Sequence, residues 1–313
     1  MQRAFTFPGQ GSQAVGMGRD LAAAFATARL VFEEVDEALG QRLSRLMFEG
    51  PEGELTLTAN AQPALMAVAL AVMRVLEADV KLNLARSARF VAGHSLGEYA
   101  ALAAAGSIAL GDAARLLRRR GDAMQKAVPV GEGAMAALLG LDLPAAEAVA
   151  AEAAQGEVCS AANDNAPGQV VVSGARSAVE RALEIAKSKG ARRAILLPVS
   201  APFHCALMAP AADVMREALA AVAIRPPAVP LVANVIASAV SDPGEIRELL
   251  VKQVTAMVRW RECALYMKSQ GVSTLVELGA GRVLTGLAKR IDPDLTGVAI
   301  NGPADIEAFA KTL

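Results

Sequence analysis

Ser95 lies in the pentapeptide GHSLG, directly after an apolar run and directly before a helix-forming run. This is the G-x-S-x-G pattern of a nucleophile elbow, a sharp strand-to-helix turn that exposes a serine hydroxyl. The residues two positions away must lack a Cβ for the turn to close, and the helix N-terminus favours developing negative charge. The alternative is an ordinary N-cap serine, so the pentapeptide favours a nucleophile but leaves both interpretations open.

A serine nucleophile needs a general base, which is normally a histidine. The chain has only two histidines. His94 adjoins Ser95 on a tight turn, where neighbouring side chains tend to point apart, so His204 is the predicted base by elimination. Cys205 adjoins His204, and the two side chains are poorly placed to face each other, which argues against a thiol nucleophile.

The sequence offers no obvious carboxylate that would complete a triad with Ser95 and His204. Three aspartates stand in turn or cap contexts, far apart along the chain: Asp164, Asp213 and Asp242. A histidine can also be oriented by a backbone carbonyl, which would give a dyad. Spacing alone does not decide between the two arrangements.

Arg120 is the other residue whose position suggests chemistry. Helical spacing over 112–125 places it on the same face as apolar residues, namely Ala113, Leu116, Leu117 and Met124. A buried arginine needs a partner, and its planar fork suits a carboxylate. If the protein supplies no such carboxylate, a substrate carboxylate is a candidate partner; the simpler alternative is an internal ion pair or a snorkelling side chain.

Composition excludes several classes of function. Apolar residues make up 54% of the 313 residues and charged residues 20%, which predicts a large core. The net charge of −1 gives no support for a nucleic-acid or anionic membrane surface. Three widely spaced cysteines argue against a disulfide framework or a cysteine metal site and fit a reducing compartment.

Membrane and export signals are also not expected. The N-terminal segment lacks a long apolar stretch, which argues against a secretory signal. The most apolar window, 63–73, is too short to span a bilayer and is followed closely by Arg74 and Glu77. We therefore expect a cytoplasmic protein that binds neither membrane nor nucleic acid, and a monomer.

The order of the predicted elements indicates an α/β fold in two parts. Residues 129–198 follow the order βαββαβ, which is typical of a ferredoxin-like subdomain, with DNAPGQ as an internal turn. The flanking segments, 1–128 and 199–313, are predicted to form one large α/β-hydrolase-like domain with a parallel sheet. Serine before histidine is also the chain order of α/β-hydrolase sites.

The elements around the candidate nucleophile follow from local pattern. A strand is predicted over 90–92 and a helix over 98–105, on either side of Ser95. Further helices are predicted over about 20–39 and from Pro63 to about 78, with the proline in the first turn.

Seven separated motifs resemble those of malonyl-CoA:acyl carrier protein transacylases, in the order of that family and over essentially the whole chain. They are FPGQGSQ, QPAL, AGHSLGEYAAL, RRRGDAMQ, NAPGQVVVSG, PVSAPFHCALM and VELGAGRVLTGL. The resemblance implies transfer of a malonyl group from malonyl-CoA to the phosphopantetheine thiol of acyl carrier protein, for fatty-acid synthesis. It implies a malonyl-Ser95 intermediate, His204 as the base, and neither a metal nor a redox cofactor.

The resemblance also implies roles for five further residues. The backbone N–H groups of Gln10 and Leu96 correspond to the oxyanion hole of the family. Arg120 corresponds to the arginine that binds the malonyl carboxylate, and Gln62 to a glutamine that lines the site. The main-chain carbonyl of Gln253 corresponds to the group that orients the histidine, in the segment that departs most from the family pattern.

Three other interpretations are compatible with parts of the sequence. A serine esterase or thioesterase would share Ser95 and His204 but has no use for an inward Arg120. A non-catalytic scaffold that binds carrier protein would not need all three residues. An acyltransferase for another acyl-CoA, in polyketide synthesis, stays within the same class, although the bulky Phe203 beside the histidine resembles malonyl selectivity.

Overall fold

The computed structural model describes residues 2–313, in which strands and helices alternate along most of the chain. The strands are β1 (Arg3–Phe7), β2 (Phe90–Gly93), β3 (Gly133–Leu139), β4 (Cys159–Ala166), β5 (Gln169–Ala175), β6 (Arg193–Leu196), β7 (Leu231–Ala233), β8 (Ser238–Val240), β9 (Thr274–Leu278) and β10 (Thr296–Ile300). They form two separate sheets, one of six strands and one of four. The α/β fold class predicted from the sequence is confirmed.

The helices cover both sheets and supply most of the buried apolar surface. They are α1 (Arg19–Ala24), α2 (Ala26–Leu39), α3 (Leu43–Glu49), α4 (Glu52–Thr56), α5 (Thr58–Ala78), α6 (Leu84–Ser87), α7 (Gly97–Ala104), α8 (Leu110–Ala127), α9 (Leu143–Ala154), α10 (Arg176–Ser188), α11 (Ala209–Ala220), α12 (Pro243–Gln253), α13 (Trp260–Ser269), α14 (Val283–Ile291) and α15 (Pro303–Ala310). The helix predicted over 20–39 is two helices, because Phe25 takes an extended conformation between them.

The six-stranded sheet has the order β10-β9-β1-β2-β7-β8, and every neighbouring pair is parallel except β7 with β8. Phe7 at the end of β1 pairs with Gly93 at the end of β2. The glycine-rich loop after β1 and the GHSLG turn after β2 therefore emerge side by side at the carboxyl edge of the sheet. This is the edge at which open parallel sheets bind their ligands.

Helix α5 is the central core helix of the large domain. It begins at Thr58, one turn earlier than the predicted start at Pro63, because the N–H groups of Asn60 and Ala61 both bond to the Leu57 carbonyl and close that first turn. By length and composition α5 is apolar enough to cross a membrane, but 89% of its most apolar window is buried inside the protein. Such burial is typical of a core helix.

The four-stranded sheet is antiparallel, has the order β4-β5-β3-β6, and is covered by α9 and α10. The βαββαβ order of this segment is confirmed, and its strand order is that of a ferredoxin-like unit. The prediction of a turn at DNAPGQ was wrong in part: β4 continues through two irregularities to Ala166, which leaves Pro167 and Gly168 as the turn. The domain limits 1–128, 129–198 and 199–313 stay a prediction.

Strand β4 also connects the small sheet to the large domain. The Asp164 N–H donates to the Val258 carbonyl, and the Val258 N–H donates to the Ala162 carbonyl. Next to this pairing, the buried Asp164 carboxylate forms an ion pair with Arg261 of α13, at 2.7 Å. One end of the small sheet is thus held against the large domain beside the carboxyl edge.

Candidate active site

The turn between β2 and α7 places Ser95 in a left-handed conformation, with φ of +53°. A Cβ on Gly93 would lie 1.8 Å from the carbonyl carbon of Gly97, and a Cβ on Gly97 would lie 2.2 Å from the Phe7 carbonyl oxygen. Both positions therefore require glycine, for the steric reason that defines a nucleophile elbow. The turn holds the serine hydroxyl at the N-terminus of α7.

The structure brings His204 to this serine. Ser95 Oγ lies 2.7 Å from His204 Nε2, and His204 Nδ1 lies 2.9 Å from the backbone oxygen of Gln253. A carbonyl oxygen only accepts, so Nδ1 carries the proton and the lone pair of Nε2 faces the serine. Because Gln253 is the last residue of α12, its carbonyl is one of those that a helix leaves free for such a partner.

None of the three aspartates considered from the sequence contacts His204. Asp164 pairs with Arg261, Asp213 pairs with Arg216 on the exposed face of α11, and Asp242 caps the N-terminus of α12. The histidine is oriented by a backbone carbonyl, which is the dyad arrangement that sequence spacing had left open.

Burial, followed by the nearby positive charge of Arg120, lowers the pKa of His204 to about 3. The imidazole is therefore neutral at physiological pH and able to accept a proton from Ser95. A general base must be deprotonated before it acts, and this environment meets that requirement.

We expect Ser95 to keep its reactivity well below the ordinary pKa of histidine. A histidine with the usual pKa of about 6.5 would be roughly 97% protonated at pH 5, whereas His204 stays neutral above a pKa of about 3. The rate of Ser95 labelling by an uncharged fluorophosphonate, measured between pH 5 and 8, checks this without a titrating substrate. Circular dichroism at each pH serves as the control for folding, and a rate that falls with a midpoint near 6.5 would contradict the expectation.

Arg120 projects from α8 into the same site and is only 1% exposed. It donates from Nη1 to Gln62 Oε1 at 2.8 Å, and from Nη2 to Gln253 Oε1 at 2.9 Å and to Ser95 Oγ at 3.1 Å. Its guanidinium also lies over the ring of Tyr99, with 5.8 Å between its central carbon and the ring centroid. Within residues 2–313 no carboxylate comes within 4 Å of it. Its partners are neutral, so the buried cation has no ion pair.

Two backbone N–H groups are available where an oxyanion would form. Gln10 and Leu96 both line the cavity in front of Ser95. Across residues 2–313 neither backbone N–H donates a hydrogen bond to another protein group. The Gln10 side chain is held by Thr58, whose hydroxyl donates to Gln10 Oε1 at 2.9 Å. The glycine-rich loop after β1 and the start of α7 thus each leave one donor free beside the nucleophile.

The candidate site opens into a cavity of about 450 Å³ whose walls come from the large domain and from the small sheet. The large domain contributes Ser95 and Arg120, and the small sheet contributes Met135 and Asn163. Such a cleft shields a reactive ester from bulk water. In the described chain, residues 2–313, no group of three or more His, Cys, Asp or Glu side chains could hold a metal ion.

Sequence reasoning missed two buried polar residues of the site, Glu98 and Asn234. Glu98 is 1% exposed and Asn234 is fully buried, and both hydrogen-bond to groups around Ser95. A signal for Glu98 was present, since it is the one charged residue in the otherwise apolar run 97–105. Asn234 follows a strand with no distinguishing pattern, and its contact with Ser95 arises only in the folded protein.

The other histidine, His94, points away from the nucleophile and has a different partner. Its Nε2 lies 2.8 Å from Asn165 Oδ1, at the end of β4, and its ring packs near Trp260. Burial lowers the pKa of His94 as well. It links the elbow to the small sheet and does not contact Ser95 Oγ.

Comparison with known proteins gives a consistent result. The family described as "Acyl transferase domain" matches residues 4–290. A malonyl CoA-acyl carrier protein transacylase of Bacillus subtilis (strain 168) is 45% identical over 312 residues, which cover 99% of this chain and 96% of that protein.

Solved structures show the same similarity. An acyl-carrier-protein-S-malonyltransferase from Bartonella henselae superposes with a TM-score of 0.97 and 56% identity, covering 100% of this chain and 99% of the other. A malonyl-transacylase in complex with a type II PKS acyl-carrier protein superposes with a TM-score of 0.96 and 44% identity, covering 100% of both chains.

Proposed function

This chain belongs to the malonyl-CoA:acyl carrier protein transacylases of the acyl transferase family, and we propose that it transfers malonyl groups from malonyl-CoA to acyl carrier protein for fatty-acid synthesis. The observation that carries the proposal is the buried Arg120 cation, without an ion-pair partner, 3.1 Å from the Ser95 hydroxyl. An esterase needs the serine and the histidine but no such cation, whereas a malonyl group brings its own carboxylate.

In the first half of the reaction Ser95 becomes acylated. His204 Nε2 takes the hydroxyl proton as Oγ attacks the thioester carbonyl carbon, and the oxyanion accepts hydrogen bonds from the N–H groups of Gln10 and Leu96. The carbon–sulfur bond then breaks. Coenzyme A leaves with the proton that the histidine returns to its sulfur, and malonyl-Ser95 remains.

In the second half the same groups act in the reverse order. His204 takes a proton from the phosphopantetheine thiol of acyl carrier protein, and the sulfur attacks the ester carbonyl carbon of malonyl-Ser95. The two backbone N–H groups again stabilise the oxyanion. The bond to Ser95 Oγ breaks, the histidine returns the proton to that oxygen, and the malonyl group leaves on the carrier.

Specificity follows from the charge of Arg120. Its fork already holds two neutral amide oxygens, from Gln62 and Gln253, which fix its plane beside Ser95. A malonyl carboxylate supplies the opposite charge and a bidentate partner. An acetyl group lacks that carboxylate and leaves the buried cation uncompensated, which raises the free energy of the acetyl complex relative to the malonyl complex.

The proposal includes no resident cofactor, because each proton transfer and each charge in both half-reactions has a protein group assigned to it. Coenzyme A enters as part of the substrate. A relative of the same fold in complex with a type II PKS acyl-carrier protein supports carrier protein as the acceptor. A cytoplasmic monomer without membrane contact remains our expectation from the sequence.

Intact-protein mass spectrometry tests the proposed function directly. After brief mixing with malonyl-CoA we expect a malonyl adduct that persists in buffer and is lost on addition of acyl carrier protein carrying phosphopantetheine, with the malonyl mass appearing on the carrier. Carrier without phosphopantetheine is the control and leaves the adduct in place. An adduct that hydrolyses equally fast without the carrier indicates an esterase, and an equal yield from acetyl-CoA contradicts malonyl selectivity.

A further inference from the structure

Glu98 lies three residues after the nucleophile, in the first turn of α7, and its carboxyl group is buried at the back of the site. Its Oε1 accepts a hydrogen bond from the backbone N–H of Asn234, and its Oε2 accepts one from Gln253 Nε2 at 2.6 Å. Both oxygens therefore act as acceptors, as in the ionised form. The mechanism above assigns this group no step.

The Gln253 side chain joins Glu98 to Arg120. Gln253 Nε2 faces three acceptors: Glu98 Oε2, the Ser95 carbonyl oxygen at 3.0 Å and Asn234 Oδ1 at 3.3 Å. Gln253 Oε1 faces one donor, Arg120 Nη2, at 2.9 Å. A flipped amide would set an oxygen against three acceptors and an N–H against a cation, so the surrounding groups determine its orientation.

We propose that Glu98 is a positioning residue for acyl-group selection: its carboxylate holds the Gln253 amide with Oε1 towards Arg120, and so fixes the guanidinium for the substrate carboxylate. The two charged groups bind opposite ends of one amide. Arg120 is thereby oriented by a negative group that does not occupy its fork. This inference rests on the proposed malonyl transfer and identifies a further residue that determines its specificity.

Burial is the largest influence on Glu98 and raises its pKa to about 8, although the hydrogen bonds from Asn234 and Gln253 and the charge of Arg120 each act to lower it. An N–H donor faces each of the two carboxyl oxygens, and it is this geometry that fits the ionised form. A direct ion pair between Glu98 and Arg120 would neutralise the cation and leave less reason for a malonyl carboxylate to bind. The neutral amide between them orients the guanidinium and leaves its positive charge without a carboxylate partner.

The substitution Glu98→Gln tests whether Glu98 orients the Gln253 amide or only fills space, because glutamine has the same size but replaces one acceptor oxygen with an NH₂ donor. The Asn234 donor is a backbone N–H and cannot turn round, so the new side chain keeps its oxygen there and presents its NH₂ to Gln253. If the Gln253 amide keeps its orientation, its NH₂ faces the NH₂ of the new glutamine, donor against donor. If the amide flips, its NH₂ faces the Arg120 cation. Either outcome disturbs the Arg120 contact, although the side chain has the same size.

The contact that supports the elbow survives this substitution. Asn234 Oδ1 accepts from the Ser95 N–H at 2.9 Å, and Asn234 Nδ2 donates to the Gly93 carbonyl at 2.7 Å. Because Glu98→Gln keeps an acceptor for the Asn234 N–H, we expect the uncharged fluorophosphonate still to label Ser95 in this variant, which would show that the elbow is formed.

The test is the ratio of kcat/KM for malonyl-CoA to that for acetyl-CoA. In Glu98→Gln we expect this ratio to fall about 10- to 100-fold, the usual effect of one disturbed hydrogen bond to a charged group. The matched control is Glu277→Gln, since Glu277 is also fully buried and also accepts two N–H donors, from Leu284 and Thr285, outside the site. An unchanged ratio in Glu98→Gln, or an equal fall in Glu277→Gln, overturns the proposal.

A double-mutant cycle with Gln253→Met shows whether the effect passes through the amide. Methionine keeps the backbone carbonyl for His204 but removes the side-chain amide, so we expect the ratio to fall in Gln253→Met. Adding Glu98→Gln to Gln253→Met should then change the ratio little further. If Glu98→Gln lowers the ratio by the same factor in both backgrounds, the proposal is wrong. If Glu98→Gln does not fold, Gln253→Met alone decides: an unchanged ratio there also overturns it. The wild-type protein is assayed in parallel. If it does not transfer malonyl groups, the proposed function is wrong, and that outcome is distinct from a failure of the role proposed for Glu98.

Discussion

Arg120→Ala abolishes the preference for malonyl-CoA and leaves transfer from acetyl-CoA close to its wild-type rate: this is the result we expect for the residue that defines substrate choice. A truncated partner in a buried charge pair costs about 2–5 kcal/mol, which corresponds to a loss of about 30- to 5,000-fold in kcat/KM for malonyl-CoA. An acetyl group has no carboxylate for the cation to bind, so the acetyl-CoA rate is an internal measure of whether Ser95 and His204 are still in place.

The neighbouring Arg119 supplies a matched control. It lies one position earlier on α8, is about half exposed, and reaches Glu217 at 3.7 Å on the protein surface. Exposed ion pairs contribute little, so Arg119→Ala should leave both rates unchanged. Steady-state kinetics with the two thioesters on the three proteins check the prediction. If Arg120→Ala lowers both rates equally, the residue supports the site without selecting the acyl group.

The sequence predicted those parts of the site that follow from a local motif or from a small number of candidate residues. Ser95 follows from two glycines at fixed offsets, and His204 from a chain with only two histidines. Arg120 follows from helical periodicity, which placed it on an inward face before the structure placed it beside the serine. Each inference needed only a few consecutive residues or a count.

The parts that the sequence did not predict depend on contacts between distant segments. Glu98, Asn234 and Gln253 come from three different elements, and their hydrogen bonds exist only after the large sheet is assembled. For Gln253 the resemblance to a known family suggested the carbonyl contact, but nothing indicated that its side chain joins Arg120 to Glu98.

The error in secondary structure at DNAPGQ has the same origin. DNAPGQ contains the residues of a turn, yet β4 continues through it because its Asp164 backbone pairs with Val170 of β5 and also donates to Val258 of the large domain. Tertiary pairing here overrides local preference. The same pairing fixes the position of the cavity wall, so this local error concerned a segment that shapes the site.

Ser95→Ala is expected to remove the acyl-enzyme completely and to lower malonyl transfer by about 10⁴- to 10⁶-fold, the effect seen when a serine nucleophile is deleted from a catalytic group that acts as a unit. No other hydroxyl takes its place, because the left-handed turn presents this one alone to His204 Nε2, at 2.7 Å. Intact-protein mass spectrometry after mixing with malonyl-CoA measures the adduct, and a steady-state assay measures the rate.

Two comparisons make the Ser95 result specific. Ser107→Ala is the control, since that serine is also buried and hydrogen-bonded, to the Arg225 carbonyl oxygen, but lies outside the cavity; it should form the adduct normally. His204→Ala should lower malonyl transfer by a similar factor to Ser95→Ala but retain a slowly formed adduct, because the nucleophile is present without its base. If the Ser95→Ala variant itself formed an adduct, another residue would be the nucleophile and the role proposed for Ser95 would be wrong.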